Sequence, residues 1–302
     1  MKQTGKNDIL CFGEVLWDML PGGKKPGGAP LNVAIHLKKQ GLHPHLVSSI
    51  GRDAEGDELL DYLSAREVDT RLIEKDDLLP TSEVKVHLDD DKNATYEICA
   101  PVAWDNIGVT PGLEAAAAHA GTIVFGTLAS RSFTSRKTLL HLLQLSKATR
   151  VLDVNLRPPY DTREVVEKLL NLADFVKLND EELIRIAGWN NQQGDEKTLM
   201  KWFSGFYRCS TLCVTRGANG AALLTGGTII NHPGFQVNAV DTVGAGDSFL
   251  AALVARLSAG SEPQNALDYA SAVGALVASR DGAVPDYSPT EVENLFNRQI
   301  SG

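Results

Sequence analysis

Asp241-Thr242-Val243-Gly244-Ala245-Gly246-Asp247 precedes apolar residues at Phe249, Leu250, Leu253, Val254 and Leu257. That spacing is one face of a helix. The small residues before it let backbone N–H groups face outward at the helix start. There the donors lack intrahelical partners and the dipole end is positive. Such a turn is suited to holding an anion. Asp247 falls in the first turn, where a carboxylate can take a proton from an attacking hydroxyl while the amides stabilise developing charge. The same residues also read as a plain helix start whose acid suits the dipole.

Outward from this turn, the chain alternates strands and helices. Residues 9–12, 46–50, 122–125, 151–154, 174–178 and 212–215 are short, mainly apolar runs. Helical spacing marks 31–40, 57–66, 136–147, 180–187, 248–258 and 263–279, the last two closing the domain. Strands that are apolar on both faces and separated by helices predict an α/β fold with a parallel sheet covered on each side. A hairpin is predicted from 221–225 and 228–230, turning at Gly226-Gly227. Two stretches break the rhythm. Residues 14–30 are rich in Gly and Pro, and residues 83–104 include the alternating Glu83-Val84-Lys85-Val86-His87-Leu88. Together they predict a small β lid on one edge of a single domain spanning 1–302. His43 and His45, flanking Pro44, read as surface loop residues.

The 302 residues carry 29 Lys plus Arg against 38 Asp plus Glu, a net charge of −9. That balance, with no long basic cluster, argues against a nucleic-acid binder. It leaves anionic small ligands open, because backbone amides hold phosphate without net positive charge. No apolar run approaches a membrane span, and the polar start 1–8 lacks a leader's apolar stretch, so a cytoplasmic protein with no membrane partner is expected. The four cysteines, Cys11, Cys99, Cys209 and Cys213, fit free thiols there.

Further motifs stand in order along the chain: Gly13-Glu14-Val15-Leu16-Trp17-Asp18, Gly27-Gly28-Ala29-Pro30-Leu31-Asn32, Asp153-Val154-Asn155-Leu156-Arg157, Asn179-Asp180-Glu181-Glu182 and Thr215-Arg216-Gly217-Ala218-Asn219-Gly220. With residues 241–247 they resemble the signatures of the pfkB (ribokinase-like) carbohydrate kinase family, in family order and over almost the whole chain. The versions at 13–18, 27–32, 103–107 and 126–129 resemble its fructokinase members. No P-loop or protein-kinase motif set is present.

The resemblance implies a ribokinase-like three-layer α/β/α domain with a mostly parallel central sheet and a small β-sheet lid. It implies transfer of phosphate from ATP to a sugar, with D-fructose at its 6-hydroxyl as the expected acceptor. Asp247 matches the general base, and Gly244, Ala245 and Gly246 the anion hole. Arg157 is the catalytic arginine candidate, its planar fork suited to a phosphate oxygen or a sugar hydroxyl. Asp18, Gly28 and Asn32 match sugar-binding positions; Asn32 alone also reads as a helix cap after Pro30. Asn179, Thr215, Gly217, Gly220 and Thr242 match the nucleotide side. Asn179 and Glu182 match a pair that organises Mg²⁺ through water, although their spacing equally suits a capping box. The segment 280–283, with the backbone near Asp241 and Val243, resembles a monovalent-cation site such as one for K⁺. Trp17, Tyr96 and Trp104 are candidates either to flank the sugar or to pack the lid. Lys24, Lys25 and Arg131 are the basic residues that a phosphosugar acceptor would need. A homodimer joined through the lids is expected from the alternating strand at 84–88, whose edge or second face needs a partner.

Overall fold

The apolar runs become neighbouring strands because alternate residues bury toward opposite helical layers. The computed structural model describes residues 8–20, 22–88 and 94–300. In chain order its elements are β1 (Asp8–Phe12), β2 (Leu16–Leu20), β3 (Gly23–Gly27), α1 (Ala29–Lys39), β4 (His43–Gly51), α2 (Ala54–Ser64), β5 (Ile73–Asp76), β6 (Ser82–Leu88) and β7 (Ala94–Ile98). Then come α3 (Pro111–His119), β8 (Thr122–Gly126), α4 (Phe133–Leu145), β9 (Thr149–Asp153), α5 (Arg163–Leu170), β10 (Phe175–Asn179), α6 (Asp180–Trp189), α7 (Glu196–Tyr207) and β11 (Thr211–Thr215). The chain continues through β12 (Ala221–Thr225), β13 (Thr228–His232), α8 (Ala245–Ser258), α9 (Pro263–Ala278) and α10 (Pro289–Ile300).

The large sheet runs β13-β12-β11-β10-β9-β8-β1-β4-β5. Its pairings are parallel except β11 with β12 and β12 with β13. In β1, Leu10 and Phe12 join the core that includes Leu113, Leu139, Val166, Leu183 and Phe203, under α3 to α7. Ile9 and Cys11 join the opposite core with Leu31, Leu59, Phe249, Leu267 and Val292, under α1, α2, α8, α9 and α10. This is the three-layer α/β/α arrangement. A separate sheet, β3-β2-β6-β7, is built from the two stretches that broke the strand–helix rhythm. In it β2 and β6 run parallel, while the outer pairings are antiparallel.

The hairpin turns at Gly226 and Gly227, with φ of 56° and 78°. Both central residues at positive φ suit the right-handed twist of the flanking strands. Two readings need correction. His43, Pro44 and His45 are not loop but the start of β4, where His45 Nδ1 lies 2.9 Å from an Asp69 carboxylate oxygen. Pro44 is tolerated at that strand beginning. The domain also closes on α10, not α9, with Val292 buried in the core. Helices α3, α5 and α7 and strand β5 were not legible either: α5 has eight residues and β5 four, too short for a clear period.

Candidate active site

Helix α8 begins where Gly244 takes a φ of 76°. A β-carbon there would meet the Ala283 carbonyl oxygen at 2.3 Å, so glycine is required both by conformation and by close approach. The Asp241 carboxylate accepts from Val243 N at 3.0 Å and from Gly282 N at 3.1 Å, tying this turn to the segment after α9. The Gly246 and Asp247 amides precede the bond from Ser248 N to the Gly244 carbonyl, so they belong to the unpaired first turn. Thr242 is exposed at the same turn.

Helices α1 and α8 pack together and aim Asn32 at Asp247. Asn32 is buried and donates from Nδ2 to Asp247 Oδ2 at 2.8 Å, while its own Oδ1 has no partner among the described residues. The helix start is Gly28, not Asn32, so the capping alternative for Asn32 falls away. Gly28 adopts a φ of 112°, and a β-carbon on it would stand 2.4 Å from the Glu14 carbonyl. The Asp247 carboxyl is pushed up to about 6, first by burial and then by the Asp153 charge; Lys177, Asn32 and Arg157 work the other way.

Two more acids share this surrounding. Burial raises Asp18 on β2 to about 6 against the pull of Arg157. Glu14, 4% exposed, is pushed up to about 7 by burial and the nearby Asp247 charge, against backbone N–H groups and Arg157. Among the described residues Glu14 Oε2 has no hydrogen-bond partner. Arg157 is exposed after β9 and donates to the Leu156 carbonyl. It is the cation common to Asp18, Glu14 and Asp247. The structure thus brings together Asp18, Gly28, Asn32, Arg157 and the turn 244–247.

Sequence reading missed Lys177. Its side chain is buried, and Nζ donates to both Asp153 oxygens at 3.0 and 2.9 Å. The two residues are direct register partners in β10 and β9. Burial pulls the ammonium down, but the Asp153 and Asp247 charges outweigh it and leave it raised. The available signal was a lysine interrupting the apolar run 175–178.

Asn179 and Glu182 form a complete capping box at the start of α6. Glu182 N donates to Asn179 Oδ1 at 2.8 Å, and Asn179 N to Glu182 Oε2 at 2.8 Å. Glu182 Oε1 accepts from Leu156 N at 2.7 Å. Each carboxylate oxygen keeps a lone pair for a water, a donor set that fits a hydrated Mg²⁺ rather than a directly gripped ion. Among the described residues no group of three or more His, Cys, Asp or Glu could hold a metal.

Thr215 ends β11 and lies apart from the Asp247 cluster in its contacts. Gly217 and Gly220 take φ of 55° and 79°, and Gly220 packs against the backbone of 232–234. Beside that backbone is a cavity of about 230 Å³ lined by Asn231, His232, Phe235, Gln264, Asp268 and Phe296. The two described aromatic candidates pack. Trp17 is buried and donates from Nε1 to the Glu55 carbonyl at 3.0 Å. Trp104 is fully buried under the Arg131 guanidinium, 3.9 Å from its ring centre. The Tyr96 side chain and residues 1–7 lie outside the described set. The three basic residues are paired: Lys24 with Glu58, Lys25 with Asp281, and Arg131 with Asp105. Among the described residues no helix is long and apolar enough to cross a membrane.

The model of the pfkB family carbohydrate kinases matches residues 6–291. The fructokinase of Klebsiella pneumoniae is 30% identical over 296 residues, covering 91% of this chain and 94% of that one. The crystal structure of fructokinase with bound ATP from Xylella fastidiosa superposes with a TM-score of 0.84 at 25% identity, covering 98% and 99%. An uncharacterized sugar kinase from Pyrococcus horikoshii in complex with ATP gives 0.79 at 28%, covering 95% and 99%. A glycine-rich helix start beside a half-buried aspartate, on this three-layer fold and with that match, makes the chain a member of the pfkB family of carbohydrate kinases.

Proposed function

We propose that the chain transfers the terminal phosphoryl group of ATP to the 6-hydroxyl of D-fructose. The observation that carries this reading is the Asp247 carboxylate, held by Asn32 at 2.8 Å in the first turn of α8 beside unpaired amides. Asp247 accepts the proton of the sugar's primary hydroxyl, and that oxygen attacks the phosphorus in line. The amides of Gly244, Gly246 and Asp247 stabilise the charge on the phosphoryl oxygens, while that of Ala245, expected to join them, donates to the Thr242 carbonyl at 3.3 Å. Asp18, Asn32 and the backbone at Gly28 hold the sugar hydroxyls. Arg157 grips a phosphate oxygen or a hydroxyl near the three acids it faces.

Thr242, Thr215, Gly217, Gly220 and Asn179 flank the nucleotide in this reading. Mg²⁺ held through water by Glu182 and Asn179 would neutralise phosphate charge. The Asp241 and Gly282 turn is the corresponding place for K⁺. The small sheet acts as a lid, from about 14–30 and 83–104 of a single domain, and excludes water during transfer. A homodimer through the lids would pair the outer strands β3 and β7, each of which has a neighbour on one side only within that sheet.

The pairing of Lys24, Lys25 and Arg131 with carboxylates favours an unphosphorylated acceptor over a phosphosugar. Ribose, 2-keto-3-deoxygluconate and nucleosides remain the alternatives within the family. A binding regulator without turnover is the alternative outside it. ADP release with ATP and Mg²⁺ across fructose, ribose, glucose, 2-keto-3-deoxygluconate, inosine and fructose 6-phosphate separates them. Highest kcat/KM on fructose supports the proposal. Highest kcat/KM on another sugar moves the substrate but keeps the mechanism, and no turnover on any acceptor favours the regulator.

A further inference from the structure

A lysine inside a parallel strand needs a reason. Lys177 is buried between Val176 and Leu178, both fully inside the core. A buried ion pair is weak support for stability, since a well-packed apolar pair in the same space commonly does as well. The Lys177–Asp153 pair is therefore poorly explained as a structural element alone.

Its position supplies another reason. The ammonium has three N–H donors. Its hydrogen bonds among the described residues go to the two Asp153 oxygens, which leaves a donor without an acceptor. The Nζ lies directly against the turn that opens α8, because a β-carbon on Gly246 would stand 3.1 Å from it. Glycine at 246 keeps the ammonium uncovered on that side. A buried cation with a spare donor, facing a turn of unpaired amides, matches the terminal phosphoryl group of a nucleoside triphosphate.

We infer that Lys177 is a further catalytic residue, giving a charged hydrogen bond to the transferring phosphoryl group from beneath the α8 turn, with Asp153 holding it in place. The inference rests on the kinase reading above. The competing role is local, with Lys177 serving only to neutralise Asp153.

The double variant D153N/K177M separates these roles, because it removes both charges without leaving one buried alone. Wild type, K177M, K177R and D153N/K177M are titrated calorimetrically with AMPPNP and with ADP, each with Mg²⁺, and their kcat and KM values are measured. The affinity ratio of triphosphate over diphosphate should fall about tenfold or more in K177M and in the double variant, the scale of one lost charged hydrogen bond. Their kcat should fall with it, and K177R should regain part of both. A double variant with wild-type ratio and kcat would overturn the inference while leaving the kinase reading intact. Wild-type protein that binds neither nucleotide would overturn both.

Discussion

Asn32 Nδ2 and Asp247 Oδ2 meet at 2.8 Å, although 215 residues separate them in the chain. The bond joins a residue expected on the sugar side to the residue expected to take the proton. It also pulls the Asp247 carboxyl down, against the burial that nonetheless leaves it raised to about 6. Asn32→Ala should therefore lower kcat/KM about tenfold or more, the scale of a lost hydrogen bond to a charged group. The acid limb of the pH profile should move to higher pH. Unchanged kcat/KM and an unmoved limb would separate Asn32 from the reaction.

The pH dependence has a definite sign. A general base works ionised, and Asp247 is half protonated near pH 6. The rate should level off above about pH 7 and fall about tenfold per unit well below pH 6. A plateau reaching down to pH 4 would mean that Asp247 titrates as an ordinary carboxylate.

Glu14 makes a prediction about stability. Its folded-state carboxyl, raised from 4.5 to about 7, binds a proton more tightly than the unfolded chain does. Its contribution to stability is full below about pH 4 and is lost as pH rises through about 7. Glu14→Gln should match wild type near pH 4 and exceed it at pH 8, by up to about 3 kcal/mol. Denaturant unfolding at both pH values reads this, and a destabilised variant at pH 8 would refute it.

Arg131 is sandwiched between Trp104 and Tyr160, 3.9 and 4.5 Å from their ring centres. Its Nε and one terminal nitrogen each donate to Asp105 at 2.8 Å, and the same terminal nitrogen reaches the Cys99 carbonyl. Arg131→Met leaves the Asp105 carboxylate buried without its cation and should cost about 3–5 kcal/mol. A loss of sugar affinity at unchanged stability would instead place this arginine at the substrate.

The sequence made the main strands, the hairpin glycines and the helix start at 244–247 legible because each has a local cause: an apolar run, positive φ, or a small-residue turn. Asn32 is expected on the sugar side only through family resemblance. From spacing alone it reads as a cap, and its contact with Asp247 arises from the packing of α1 on α8. Lys177 was missed because its meaning lies in the register of β10 on β9, which places Asp153 beside it. Trp17 and Trp104 show the reverse case. Their type suits a sugar face, but burial commits them to packing.

The account turns on Asp247 as the base of phosphoryl transfer. The most direct measurement is ADP release with ATP, Mg²⁺ and fructose for wild type and Asp247→Asn, with folding checked by thermal unfolding. The account predicts turnover in wild type and a loss of roughly two to four orders of magnitude in kcat for the variant, with its fold intact. A folded Asp247→Asn protein that turns over at the wild-type rate would contradict it.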